Sequence, residues 1–429
     1  MIIEFTIGNF KSIRHKQTLS LQAAPIVSKD PEVDERNVFT APGGLKLLKS
    51  VGIFGPNASG KSNFLRALTR MLHFVDKSFQ DDDQVKRFTP FSLDLECEKM
   101  PAHFEMVFIT NGNRYRYGFE ITEQRVSAEW LFGLANTSEV EYFTRLDDKI
   151  KINKSRFKEG TELPPDKTKS STLFLNVVDA FNGPIAAEVK SFLTSNIRVN
   201  AGANDHTFRK NTLRMMEVED LRKQIAELMR SADMGIEDID HVSLDSLEIV
   251  GDQNLRLQNT SKEDKPSKIL GTVKKVKNEP TGSPPTFFDF DEFESEGTKK
   301  FFSYSGPIIE SLLTGTNLVI DELDARLHPL LTRKIVELFN SKELNRKNAQ
   351  LIFVAHDINL LDSALLRRDQ IYFTEKNTDG ETSLYSLINI GGVRNDVSYE
   401  RDYMKGKYGA LPYLAKFNVQ TNEPDQEDR

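Results

Sequence analysis

Hydrophobic and polar positions divide the chain into blocks of different period. Ile3-Glu4-Phe5-Thr6-Ile7 alternates as an edge strand does, and Thr18-Leu19-Ser20-Leu21 reads as its hairpin partner. Residues 23–44 are polar and proline-spotted and read as a surface loop. Ser50-Val51-Gly52-Ile53-Phe54 predicts a short buried strand, after which Phe64, Leu65, Leu68, Met71, Leu72 and Val75 recur at helical spacing. Residues 76–87 are charged and loop-like. Residues 103–108 and 115–120 flank Asn111-Gly112-Asn113, a hairpin signal, and a strand meander continues through Trp130 and Tyr142-Phe143. From about Thr172 the pattern turns helical, with Leu213, Met216, Leu221, Ile225, Leu228 and Met229 marking one amphipathic segment. Residues 252–285 are polar and carry Lys262, Lys265, Lys268, Lys274, Lys275 and Lys277, which predicts a solvated loop. Phe301, Phe302, Ser305, Ile308, Ile309, Leu312 and Leu313 then mark a helix ending at Thr314-Gly315. Two buried strands follow, over 317–322 and 350–357, separated by a helix through Leu331, Ile335, Leu338 and Phe339.

At 429 residues the chain exceeds one compact core, so we expect a large core carrying an inserted or appended lobe. Hydrophobic residues make up 38% and charged residues 28%, as in ordinary water-soluble domains. The net charge of -7 gives no global drive toward nucleic acid, although a local basic patch stays open as a contact. Cys97 is the single cysteine, which excludes an internal disulfide and favours a reducing, cytoplasmic setting. No apolar run is long enough to span a bilayer, and the acidic N-terminus is unlike a signal peptide.

The chemistry concentrates at Gly55-Pro56-Asn57-Ala58-Ser59-Gly60-Lys61-Ser62, between the predicted strand and helix. A strand-to-helix turn aims backbone N–H groups and a helix N-terminus at an anion, and glycines let phosphate approach the backbone. Lys61 would pair with β- and γ-phosphates and the Ser62 hydroxyl would bind Mg2+. Ser295-Glu296-Gly297-Thr298 opens another helix and is a second candidate anion site, or simply a helix cap. The strand Asn317-Leu318-Val319-Ile320 ends in Asp321-Glu322. Burying adjacent acids without a partner is costly, and a divalent cation relieves that cost. Asp321 is therefore the candidate Mg2+ ligand, with Glu322 polarising a water and His356, at the end of the next strand, sensing the γ-phosphate.

These four stretches, Gly-Pro-Asn-Ala-Ser-Gly-Lys-Ser, Ser-Glu-Gly-Thr, Leu-Val-Ile-Asp-Glu-Leu-Asp-Ala-Arg-Leu-His-Pro and Val-Ala-His-Asp, resemble the ABC-type ATPase heads of the SMC/RecF/OLD lineage. More closely, the chain is similar to RloA-like and abortive-infection ATP-binding proteins of phage-defence loci. The resemblance runs from Asn9-Phe10-Lys11-Ser12 to Lys407-Tyr408-Gly409-Ala410-Leu411-Pro412. It implies an α/β P-loop NTPase fold, an ABC-like head of mixed sheet plus antiparallel β-meander, with an inserted helical lobe. The expected division is 1–170 and 286–415 for the two parts of the ATPase core, 171–285 for the lobe and Lys-rich loop, and 416–429 for a disordered tail.

The resemblance further implies an ATP sandwich between two copies. Gly55, Pro56, Asn57, Ala58, Ser59, Gly60, Lys61, Ser62 and Asn63 would hold ATP with Mg2+, while Ser295, Gly297 and Thr298 would reach the γ-phosphate from a second subunit. Asp321 and Glu322 match Walker B, Asp324 the dimer-facing D-loop, and His356 the switch histidine; Lys11 and Ser12 are further nucleotide contacts. Glu296 stands where transport ATPases have glycine, and Gln80 and Gln84 are candidates for a Q-loop. The stretch between the motifs is too short for long coiled coils, and the segment after His356 carries no Asp-x-Asp metal pattern. The expected function is a Mg2+-dependent signalling ATPase, homo-oligomeric through ATP, that controls a separate effector in anti-phage defence. A RecF-like clamp on duplex DNA is the alternative.

Overall fold

The computed structural model describes residues 1–135, 138–163, 167–202, 205–232, 234–243, 268–275, 287–393 and 397–412. The tail expected over 416–429, and Lys262, Lys265 and Lys277, lie outside them.

The chain opens with β1 (Ile2–Gly8) and β2 (Gln17–Ser20), an antiparallel pair as the alternation predicted. Residues 23–44 are not a plain loop. They contain helix α1 (Pro31–Asn37), capped by the Asp30 side chain, and β3 (Val38–Thr40), which pairs with β4 (Lys46–Leu48). Next come β5 (Ser50–Phe54) and α2 (Lys61–Lys77). The meander is β6 (Ala102–Thr110), β7 (Asn113–Ile121), β8 (Val126–Ala135), β9 (Ser138–Leu146) and β10 (Lys149–Ile152). Asn111 and Gly112 turn β6 into β7 with φ +46° and +81°, the left-handed pair that a two-residue hairpin loop requires. These strands join β1 and β2 in a seven-stranded sheet where β2 is the edge, so β1, expected there, is interior.

Helices α3 (Phe174–Ala180) and α4 (Pro184–Ser195) lead to β11 (Ile197–Asn200). The single amphipathic segment expected next is two helices, α5 (His206–Met215) and α6 (Glu219–Ser231). β12 (Asp238–Ser243), β13 (Lys268–Val273) and β14 (Phe287–Asp289) form a small antiparallel sheet. Residues 268–273, read as solvated loop, are thus its central strand, and Lys274 just after it pairs with buried Glu294 at 2.9 Å. Helix α7 (Glu296–Thr314), β15 (Asn317–Ile320), α8 (Pro329–Asn340), β16 (Leu351–Val354), β17 (Ile371–Lys376) and β18 (Thr382–Ser386) complete the core.

The second sheet runs β11-β15-β16-β5-β17-β18, parallel except for β18. It is covered on both faces, which is why β5, β15 and β16 read as unbroken apolar runs rather than alternation. Val319 and Ile352 pack with α2 and the meander, whereas Leu318, Ile320, Leu351 and Phe353 pack with α5, α6, α7 and α8. Helix α2 is the shared filling between the sheets: Phe64 meets Phe5 of β1 at 5.3 Å, and Phe74 meets Phe119 of β7 at 5.2 Å. The class is α/β, a parallel P-loop sheet with an antiparallel meander stacked over it. β11 lies inside the span expected to be a helical lobe, yet it is an edge strand of this core sheet.

Candidate nucleotide-binding site

The C-terminal ends of the parallel strands gather the chemistry. Between β5 and α2 the loop turns through Gly55 (φ +141°), Ala58 (φ +63°) and Gly60 (φ +109°). A Cβ at Gly55 would lie 2.4 Å from the Thr374 carbonyl, and one at Gly60 would lie 2.1 Å from Thr382 Oγ1. The glycines are therefore demanded from behind by β17 and β18 as well as by any phosphate in front. Ser59 Oγ lies 2.6 Å from Thr374 Oγ1, while Asn57 and Ala58 are at the exposed tip and Pro56 is half-buried.

Thr382 Oγ1 is 2.8 Å from both the Ser59 carbonyl and Ser12 Oγ. With one proton to give, it donates to the carbonyl and accepts from Ser12, whose oxygen accepts in turn from the Asn63 amide at 2.8 Å. The Asn9–Ser12 stretch is thereby built into the back of the loop. Its contact is Ser12; Lys11, at φ +52°, bonds through its N–H to the Thr89 carbonyl and lays its ammonium 5.9 Å from the Phe10 ring centroid.

Lys61 is 4% exposed and donates to the carbonyls of Gly55 (2.7 Å) and Pro56 (2.9 Å). Burial pushes its ammonium down to about 8, against the opposing charges of Asp321, Asp324 and Glu322. Asp321 ends β15, buried, its N–H bonded to the Asn200 carbonyl at 2.8 Å. Burial raises its carboxyl above the usual range, a hydrogen bond with Ser62 opposes this, and Glu322 adds to the rise. Its Oδ1 is buried with no hydrogen-bond partner. A carboxylate oxygen so placed beside a hydroxyl suits a hard cation such as Mg2+, which takes oxygen ligands.

Glu322 follows at φ +52°, half-buried. Asp324 accepts the His356 N–H at 3.0 Å, and the Leu323 N–H reaches the Val354 carbonyl at 2.9 Å, so the ends of β15 and β16 are stitched together. The His356 side chain itself is exposed. Ser295 caps α7 by accepting the Thr298 N–H at 3.1 Å, and its Oγ is 2.9 Å from Thr298 Oγ1. A Cβ at Gly297 would sit 2.7 Å from the Arg326 carbonyl, and Arg326 pairs with Glu296 at 3.1 Å. Among the described residues no hydrogen bond joins Ser295, Gly297 or Thr298 to the loop 55–62.

Neither Gln80 nor Gln84 reaches this site: Gln84 is buried between Arg70 (2.9 Å) and Asp81 (2.6 Å), and Gln80 lies in the turn after α2. Asn200, at the end of β11, accepts the Asp321 N–H on its carbonyl and donates its side-chain amide to Asp205 at 2.7 Å. Asn200, Asp205, Lys300, Thr374 and Thr382 all escape sequence reasoning. A faint signal existed for Asn200, a short β-branched run closing in Asn-Ala-Gly before a helix.

A parallel sheet with this strand order, a glycine loop opening onto α2, and adjacent acids closing the neighbouring strand define a P-loop NTPase fold. The family described as "AAA domain, putative AbiEii toxin, Type IV TA system" matches residues 50–362, and the chain belongs to it. Among solved structures it is similar to an SMC head bound to the C-terminal winged-helix domain of ScpA, at 14% identity and TM-score 0.44, covering 94% of this chain and 99% of that one. It is also similar to the SMC head domain from Thermotoga maritima, at 16% identity and TM-score 0.39, covering 90% and 98%. No curated protein matches. None of the described helices is long and apolar enough to cross a membrane.

Proposed function

We propose that the chain binds ATP with Mg2+ at Gly55–Asn63 and hydrolyses it when two copies close head to head. The observation that carries this reading is the buried, unpartnered Oδ1 of Asp321 beside the Ser62 hydroxyl and within the field of Lys61. The backbone of 55–60 and the Lys61 ammonium hold the phosphates, exchanging the Gly55 and Pro56 carbonyls for phosphate oxygens. Ser62 and Asp321 would hold Mg2+, which supplies charge neutralisation across the phosphates when bound. Glu322 orients the attacking water and accepts its proton, and His356 reaches the γ-phosphate from its exposed position. Ser295, Gly297, Thr298 and Asp324 act across the interface on the nucleotide of the partner.

The family description carries the words "AbiEii toxin, Type IV TA system", which supports a place in a toxin–antitoxin system; in our reading that system is an anti-phage one and this chain is its regulatory ATPase. In this reading ATP-driven oligomerisation controls a separate effector protein in the cytoplasm.

Calorimetry and a phosphate-release assay on three proteins test the chemistry. Wild type binds ATP-Mg2+ and turns it over; Lys61→Ala loses binding while still folding, with one cooperative thermal transition. Glu322→Gln binds ATP normally, hydrolyses it about 10²-fold more slowly and accumulates as an ATP-bound dimer. Wild-type turnover by Glu322→Gln would remove Glu322 from the reaction.

A further inference from the structure

A lysine is seldom buried without a purpose, and Lys300, on the second turn of α7, is 6% exposed. Its Nζ donates to the Glu322 carbonyl at 3.1 Å and lies 5.3 Å from the centroid of the Tyr304 ring. Burial pushes the Lys300 ammonium below its usual range, against the opposing charges of Asp205, Glu322 and Asp324. A methionine would fill similar volume without the desolvation that an ammonium incurs.

The acceptor is what makes the contact informative. Glu322 sits at φ +52°, a conformation that is costly for a non-glycine residue and is kept only where its surroundings enforce it. Its carbonyl accepts two hydrogen bonds, one from the Ala325 N–H at 3.0 Å within the same turn, the other from Lys300 on a different element. The same first turns of α7 also abut the Arg326 carbonyl at Gly297 and pair Glu296 with Arg326 at 3.1 Å.

We propose that Lys300 is a positioning residue for Glu322: it fixes the peptide that follows Glu322, so that the carboxylate stays aimed at the attacking water, and it locks α7 to the loop 322–326 as one unit. This rests on the reading of Glu322 as the group that orients water. A consequence is that a phosphate arriving from the partner at Ser295–Thr298 steadies Glu322 of the same chain, which serves the other composite site.

The experiment is a double-mutant cycle in the full chain, read by single-turnover hydrolysis alongside ATP affinity and thermal unfolding. Lys300→Met lowers the hydrolysis rate about 10²-fold, the size of effect that a misplacement of about 1 Å produces, while ATP affinity stays at the wild-type value. Lys300→Arg, which keeps a charged donor, recovers most of the rate. In the Glu322→Gln background Lys300→Met changes the rate by less than about threefold, because nothing remains to be positioned. An undiminished rate in Lys300→Met, or an equal loss in both backgrounds, overturns the proposal. Should Lys300→Met fail to fold, Lys300→Gln enters the same cycle with the same expected and overturning outcomes. Absence of hydrolysis in wild type fails the ATPase reading itself, a result seen before any variant is made.

Discussion

Lys61 shows at the residue scale how a candidate ligand site stores a cost. Unfolded, its ammonium titrates near 10.5; folded, burial brings it to about 8. Below about 8 both states are charged and the folded state bears the full desolvation cost. Between about 8 and 10.5 the unfolded chain keeps a proton that the folded chain has released, so stability rises with pH across that window. Polyphosphate favours the charged form, and ATP binding at about pH 9 should take up nearly one proton. Calorimetry in two buffers of different ionisation enthalpy reads that uptake, and Lys61→Arg abolishes it because guanidinium remains charged. Zero uptake by wild type would mean that Lys61 does not meet the phosphates. Lys61, Ser62 and Asp321 were legible in the sequence because the glycine loop and the acid pair are local patterns. Lys300, Asn200 and Thr382 were not, because each acts on a residue of a distant segment and carries no spacing of its own.

Elements obey the same division. The strand, loop and helix from Ser50 to Lys77 and the hairpin at Asn111-Gly112 were readable, since burial on both faces and a left-handed turn each leave a mark in residue type. β11 and β13 were missed: four and six residues long, they draw their partners from β15 and β12 rather than from their own pattern. Helix α7 shows how a local conflict is settled by tertiary contact. Pro307 lies inside it and has no N–H to give the Ser303 carbonyl. The Thr212 hydroxyl of α5 takes its place at 3.0 Å and accepts the Gly306 N–H at 3.1 Å. Thr212→Val should therefore destabilise the fold by about 1–3 kcal/mol, the cost of stranding buried polar groups. Thr212→Ser, which keeps the hydroxyl, should lose much less. Urea midpoints compare them, and equal midpoints for Val and wild type would show that water or a relaxed helix satisfies Ser303.

At the scale of the whole molecule, no hydrogen bond among the described residues joins the loop 55–62 to the capped helix α7, and in the proposed dimer the function depends on which copy supplies which. If α7 completes the site of a partner, hydrolysis per chain must rise with protein concentration. Gly297 is a poor place to probe this, because its own Arg326 carbonyl already forbids a side chain there. Ser295 is a better one. Aspartate caps a helix about as well as serine, so Ser295→Asp keeps the bond to the Thr298 N–H and leaves the fold intact. Its charge nonetheless repels an incoming γ-phosphate, with an interaction of order 1 kcal/mol or more at contact distance. Ser295→Asp should bind ATP like wild type and hydrolyse it poorly, while Lys61→Ala should do neither. Mixed one to one, with subunit exchange confirmed by a labelled pull-down, they form some pairs in which an intact loop faces an intact Ser295, and part of the activity should return. Full activity in Ser295→Asp alone would reduce the first turn of α7 to a cap. No recovery in confirmed mixed pairs would show that the two sites must both be intact to fire, a stronger coupling than the steadying of Glu322 through Lys300 predicts.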